Sequence, residues 1–243
     1  MLHFKCDVFI VVFYRYHIIK GHGSVIEDFN WLIDLIRQKT VPRMLVFFNN
    51  INTLSDAYAY VIYHAGLHVG DASATVVMYN SLTNDPLRPR ILTDMADKKG
   101  SIRVVFCTST LSMGVNMASV EYVIHYGPPS SVSAFFQETG RAAREPDAHA
   151  HSILLVYPRM SAGRKLDRAM KAYVSIETKC LREVILREFD TRKPVNQPNC
   201  CMRCNPEVIC ALRDRIVESY TSSATETFSD NDSVASVGSV ESL

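Results

Sequence analysis

The chain has 243 residues, of which 47% are apolar and 21% charged, and its formal net charge is +1. That much apolar side chain supports a real core, enough for one ordinary domain plus a smaller appendage. The near-zero charge excludes a global basic field, so any polyanion site has to be a local cluster of Lys and Arg.

Residues 8–13 form a short apolar run that Arg15, His17 and Lys20 soon interrupt. It is too short for a membrane span, which needs about 20 apolar residues. It also lacks the small-residue cleavage site of a signal peptide. We read it as a buried strand of a protein that works inside the cell. Residues 27–39 have helical spacing, with Phe29, Leu32, Ile33 and Ile36 on one face and Pro42 beyond. Nearly continuous β-branched runs follow at 44–48, 74–79, 102–107, 122–126 and 152–157. Runs of that kind suit strands covered on both faces of a parallel sheet.

Amphipathic stretches at 54–67, 87–98 and 132–144 lie between the runs. In the first, Leu54, Tyr58, Val61 and Ile62 share a face, Ser55-Asp56 offers start chemistry, and Gly66 and Gly70 end it. Asn84-Asp85-Pro86 marks a turn before the second. The alternation predicts an α/β fold with right-handed crossovers. After Pro158 the pattern changes. Residues 162–189 read as a long charged helix or a helix pair, and 193–206 as irregular chain. Residues 221–243 are rich in Ser, Thr, Asp and Glu, and we expect them to be disordered. The expected organisation is an α/β domain over 1–158, a helical cysteine-rich subdomain over 159–217, and a tail over 218–243.

Seven cysteines are present. Cys6 and Cys107 stand alone in apolar surroundings and read as buried thiols. Cys180, Cys200, Cys201, Cys204 and Cys210 crowd together, which inside a cell suggests metal rather than disulfides.

If residues 131–146 form a helix turning roughly 100° per residue, Val132, Phe135, Phe136, Thr139, Ala142 and Ala143 make its buried face. Gln137, Arg141 and Arg144 then fall together on the opposite side, with Gly140 leaving that flank open. Two guanidiniums and an amide make a good receptor for phosphate oxygens. A solvated charged face is the plain alternative for an arbitrary helix.

The segment Gln137-Glu138-Thr139-Gly140-Arg141-Ala142-Ala143-Arg144 resembles the sixth motif of superfamily-two helicases, in the RecQ variety. Cys107-Thr108-Ser109-Thr110-Leu111-Ser112-Met113-Gly114-Val115-Asn116 resembles the fifth. Tyr122-Val123-Ile124-His125-Tyr126-Gly127-Pro128-Pro129 is similar to the strand and proline turn that join them. The order and spacing hold from about residue 27 to 204.

The resemblance implies the second RecA-like lobe of a DNA helicase that unwinds 3′ to 5′, with ATP and Mg²⁺ held between two lobes. By that match Arg144 is the arginine finger and Arg141 a second phosphate or inter-lobe contact. Gln137, Gly114, Asn116 and Gly140 would lie at the nucleotide, and Asn50, Thr108 and Ser109 at the backbone of single-stranded or forked DNA. A nuclear location, or simply an intracellular one in a prokaryote, and roles in DNA repair and recombination follow from the same resemblance. The family's zinc pattern falls on Cys180, Cys201 and Cys204, with Cys210 as fourth ligand and Cys200 as the alternative.

Five positions depart from the family: Ala143 and Ser112 replace glycines, Ile51 a basic residue, and Tyr79-Asn80 a histidine-containing pair. The chain contains no G-x-x-x-x-G-K-[ST] phosphate loop and no Asp-Glu pair. The partners expected are therefore DNA and a first lobe that this chain does not contain, with no membrane. The second expectation is a non-catalytic paralogue that binds nucleic acid or protein. A third class, a small-molecule α/β enzyme with a phosphate-binding arginine helix, is disfavoured by the ordered motifs.

Overall fold

A computed structural model describes residues 13–20, 27–68, 75–112, 117–141, 149–157, 165–189, 200–207 and 210–226. Six strands make one sheet: β1 Phe13–Lys20, β2 Met44–Phe48, β3 Val76–Tyr79, β4 Val104–Cys107, β5 Tyr122–Tyr126 and β6 His149–Val156. Their order across the sheet is β1-β6-β5-β2-β4-β3, and every ladder is parallel. The helices are α1 Asn30–Arg37, α2 Ile51–Ala65, α3 Leu87–Ala96, α4 Val132–Thr139, α5 Arg168–Val174, α6 Leu181–Arg187 and α7 Ala211–Glu226. The α/β class and the parallel sheet are as expected.

Both faces of the sheet are covered, which explains the unbroken apolar runs. Leu45, Phe47, Val105 and Val123 pack with α3, α4, α5 and α6 through Ile91, Met95, Phe135, Tyr173 and Ile185. Met44, Val46, Phe48 and Phe106 pack with α1, α2 and α7 through Trp31, Leu32, Leu54, Val61 and Ile216.

Four boundaries differ from the sequence reading. The first strand starts at Phe13, where the apolar run ends, and continues through Arg15, His17 and Lys20. Residues 8–12 lie outside the described part. Among the described residues β1 is the sheet edge and pairs only with β6, from Phe13↔His149 to Lys20↔Val156, and an edge tolerates polar positions that a central strand does not.

Helix α2 starts one turn before Ser55. Its cap is Asn50, whose side chain accepts a hydrogen bond from the Thr53 amide at 2.8 Å. Gly66, at φ +70°, ends the helix as expected, and the Leu67 amide donates back to the Ile62 carbonyl at 3.0 Å. Gly70 lies outside the described residues.

Helix α4 stops at Thr139, well short of Arg144. The expected tail, finally, begins as helix. Leu212 and Ile216, in the segment expected to be helical, and Tyr220, in the expected tail, recur every four residues and are at most 6% exposed. Residues 162–189 resolve into the pair α5 and α6 where they are described.

Candidate functional site

In a parallel sheet ligands gather outside the carboxyl ends of the strands. Here that edge carries Gly127–Pro128 after β5, Asn49–Asn50 after β2, Thr108–Ser112 after β4 and Asn80 after β3, in the spatial order of the strands. Gly127 has φ +88°, which lets the chain turn sharply out of β5. The Asn49 side chain donates to the Pro128 carbonyl at 3.1 Å and fastens the two neighbouring strand ends together.

Beside it, the Thr108 amide donates to the Tyr79 carbonyl at 3.3 Å, and the Thr108 and Thr110 hydroxyls lie 3.1 Å apart. Ser109 is exposed at the start of a single 3₁₀ turn. Asn80 is buried, its side chain accepting from the Leu82 amide at 2.8 Å. Arg88 clamps the same loop by donating to the Thr83 and Ser81 carbonyls at 2.7 and 2.6 Å. The result is a polar rim held by short local hydrogen bonds.

The expected arginine face is not one helical face. Ser131 caps α4 by accepting from the Ala134 amide at 3.1 Å, and Val132, Phe135 and Thr139 are buried as expected, with Phe136 partly so. After Thr139 the chain turns, so Gln137 is exposed on the helix whereas Arg141 is only 7% exposed beyond it. Gly140 is exposed with φ −60°, and an added Cβ would lie 3.3 and 3.4 Å from the Phe136 and Gln137 carbonyls of its own turn. Gly114, Asn116, Ala142, Ala143 and Arg144 lie outside the described residues.

Two buried polar pairs explain why α4 sits as it does. Glu138 is 5% exposed and its carboxylate lies 3.0 Å from His125 Nε2 on β5. Phe47 stacks on the His125 ring with centroids 5.2 Å apart. One residue on, the Thr139 and Ser152 hydroxyls meet at 3.2 Å and tie the helix to β6. Polar groups this deep persist only when they satisfy one another, so the pair fixes the rotation of the helix that presents Gln137. The sequence reading singled out neither partner for this role. A signal was there: strand alternation turns His125 to the same inner face as Val123, where an imidazole needs a polar partner. Burial and the nearby Glu138 push the Cys107 thiol well above its ordinary range, and it is the inert core thiol expected.

The cysteines resolve into two places. Cys180, Cys200, Cys201 and Cys204 bring four sulfurs within 4.8 Å of one another. Cys180 to Cys200 and Cys200 to Cys204 are both 3.5 Å. Thiolates on one tetrahedral zinc, with bonds of about 2.3 Å, lie about 3.8 Å apart. The donor set therefore fits a zinc-class ion. Cys180 caps α6, its sulfur accepting from the Glu183 amide at 3.4 Å. A hydrogen bond from the Cys201 thiol holds the Cys180 thiol below its ordinary range, while the same bond and burial push Cys201 up to about 12. The fourth member is Cys200, the alternative, and not Cys210. Cys210 packs in the core on the opposite face of the sheet, because the chain after Pro206 crosses to begin α7.

Residues 27–145 match the model of the helicase conserved C-terminal domain. The chain is 30% identical over 128 residues to an ATP-dependent DNA helicase RecQ of Pasteurella multocida, covering 46% of this chain and 20% of that protein. It is 28% identical over 154 residues to the ATP-dependent RNA helicase DDX55 of Gallus gallus, covering 63% and 23%. The chain thus spans about a fifth of the length of these relatives. Among solved structures, Saccharomyces cerevisiae Dbp5 bound to RNA and ADP BeF3 matches with TM-score 0.51 and 19% identity, over 67% of this chain and 40% of that one. The DUF1998 helicase MrfA bound to DNA matches with TM-score 0.51 and 16% identity, over 72% and 22%. These two likenesses concern the fold, which is RecA-like.

Proposed function

We propose that the helicase C-terminal domain matched by residues 27–145 is the second motor lobe of a RecQ-type helicase acting on single-stranded or forked DNA. The observation that carries the finer reading is the gathering of four cysteine sulfurs within 4.8 Å, directly after a lobe of this kind. Cys180, Cys200, Cys201 and Cys204 would hold one structural zinc, which cross-links α6 to the loop before α7.

In such a motor the first lobe supplies the phosphate loop and the acidic pair that holds Mg²⁺, and this chain contains neither. The part of this chain is to place a guanidinium group against the transferring phosphoryl group. Arg144 is the finger, whereas Arg141, given a phosphate or inter-lobe role by the resemblance, is only 7% exposed and takes no such contact from this side. Asn50, Thr108 and Ser109 stand on the strand-end rim, where polar groups would take the DNA backbone.

Fluorescence anisotropy with single-stranded DNA and RNA of one sequence tests the substrate. Tighter binding to DNA, weakening as salt rises, is expected. Equal or tighter RNA binding sinks the RecQ-type reading and leaves a helicase lobe of another branch. The alternative is a non-catalytic binding module of the same fold. A first lobe added in trans decides it: DNA-stimulated ATP hydrolysis that an Arg144→Ala variant abolishes supports the motor, and none supports the module.

A further inference from the structure

We propose that His17, His151 and Cys210 form a second metal site, one that takes a zinc-class divalent ion and ties α7 to the edge of the sheet. One ligand atom from each of the three lies within 4.8 Å of the other two. They come from three separate elements: β1, the neighbouring β6 and the residue just before α7. His17 and Cys210 are each 1% exposed, and His151 is partly buried.

The placement follows from the pleat. His17 alternates with Ile19 and His151 with Ile153, so both imidazoles face the core that α7 covers. His17 Nε2 and His151 Nδ1 are 3.1 Å apart. Two imidazole nitrogens on one tetrahedral zinc, at bonds of about 2.0–2.1 Å, lie about 3.3 Å apart. The two nitrogens therefore need to separate by only a few tenths of an ångström. Cys210 completes the group from the residue just before α7, with the Leu212 and Arg213 amides beside its sulfur. Tyr122 stacks on the His151 ring at 5.2 Å and helps fix its plane.

Two imidazoles and a thiolate select zinc or cobalt over the oxygen-seeking magnesium and calcium. Binding releases the Cys210 thiol proton to solvent, and a water can complete the tetrahedron from the side of His151. The site is separate from the four-cysteine cluster, which packs on the other face of the sheet. Tyr122 and His151 are paired at the amino-terminal end of β5, away from the rim of Asn50 and Thr108, so the role is structural. All three ligands lie outside residues 27–145, and the inference holds whatever that lobe does.

Zinc per chain is measured by plasma mass spectrometry after incubation with zinc chloride and desalting, for the 243-residue chain and for Cys210→Ser and His151→Asn. Each variant is expected to hold one equivalent less than the parent, with an unchanged circular dichroism spectrum. A parent count retained by both overturns the site. Should either variant fail to fold, cobalt titration of Cys204→Ser replaces it. One remaining equivalent with the charge-transfer intensity of a single thiolate supports the site, and no thiolate-bound cobalt overturns it. Failure of the four-cysteine cluster instead appears as no difference between the parent and Cys204→Ser.

Discussion

At the scale of single residues, the strongest constraint is the contact between Glu138 and His125, 3.0 Å apart and both under 6% exposed. Removing one partner strands the other in a place where water cannot reach it. Glu138→Ala and His125→Ala should each destabilise by about 2–4 kcal/mol, and the double variant by less than their sum. Urea melts of the three proteins measure this, and strict additivity would mean that the groups do not communicate. Asp94 is a gentler case. Burial pulls its carboxyl up, but hydrogen bonds from the Ile102 and Ser101 amides, the Ser101 hydroxyl and the charge of Arg43 outweigh that and hold it below the usual range. A depressed group contributes its stability fully above its unfolded value of about 3.9 and loses it as pH falls through the folded value. Asp94→Asn should therefore be less stable than the parent at pH 7 by about 1–2 kcal/mol, with the gap closing at an acid pH below its lowered folded value. A gap of equal size at both pH values would refute the assignment.

Among elements, α7 begins in the segment expected to be helical and runs on to Glu226, into the segment expected to be a tail. Its Ile216 is fully buried, and Tyr157 and Tyr220 join their hydroxyls at 2.7 Å to fix the helix to the end of β6. Ile216→Ala should cost about 2–4 kcal/mol through lost burial and the cavity left behind. A change below about 0.5 kcal/mol in thermal or urea melts would show that α7 is not docked in solution. Helix α4 illustrates the opposite error, an element taken as longer than it is. Periodicity continues past Thr139, but Gly140 and the anchors at Glu138 and Thr139 stop the helix, and Arg141 turns inward.

For the molecule as a whole, the proposed motor needs groups from two lobes at its ATP site, and the proposal assigns this chain those of one. Alone, it should hydrolyse ATP no faster than buffer, measured by phosphate release with and without DNA. A DNA-stimulated rate lost in Arg144→Ala would contradict the division of labour. Among the described residues no helix is long and apolar enough to cross a membrane. Two metal sites on opposite faces would fasten the carboxyl-terminal segments to the sheet, one through α6 and one through α7. A chelator should then lower the melting temperature of the zinc-loaded protein, and an unchanged melt would argue against both.

The apolar runs, their spacing and the polar motifs between them were sufficient for the parallel α/β fold, because strands covered on both faces leave an unbroken signature in one dimension. The same local chemistry marked Gly66 as a helix end and the crowd of Cys180, Cys200, Cys201, Cys204 and Cys210 as a metal candidate, and the family resemblance alone narrowed it to Cys180, Cys201 and Cys204. Partners distant in sequence were beyond it. Whether Cys200 or Cys210 completes the cluster depends on which face of the sheet the chain reaches after Pro206. That His17, His151 and Cys210 meet depends on β1 pairing with β6 and on α7 folding back over both. Spacing along a chain restricts what neighbours can do, whereas the meeting of distant side chains is decided only when burial of the two cores brings their elements together.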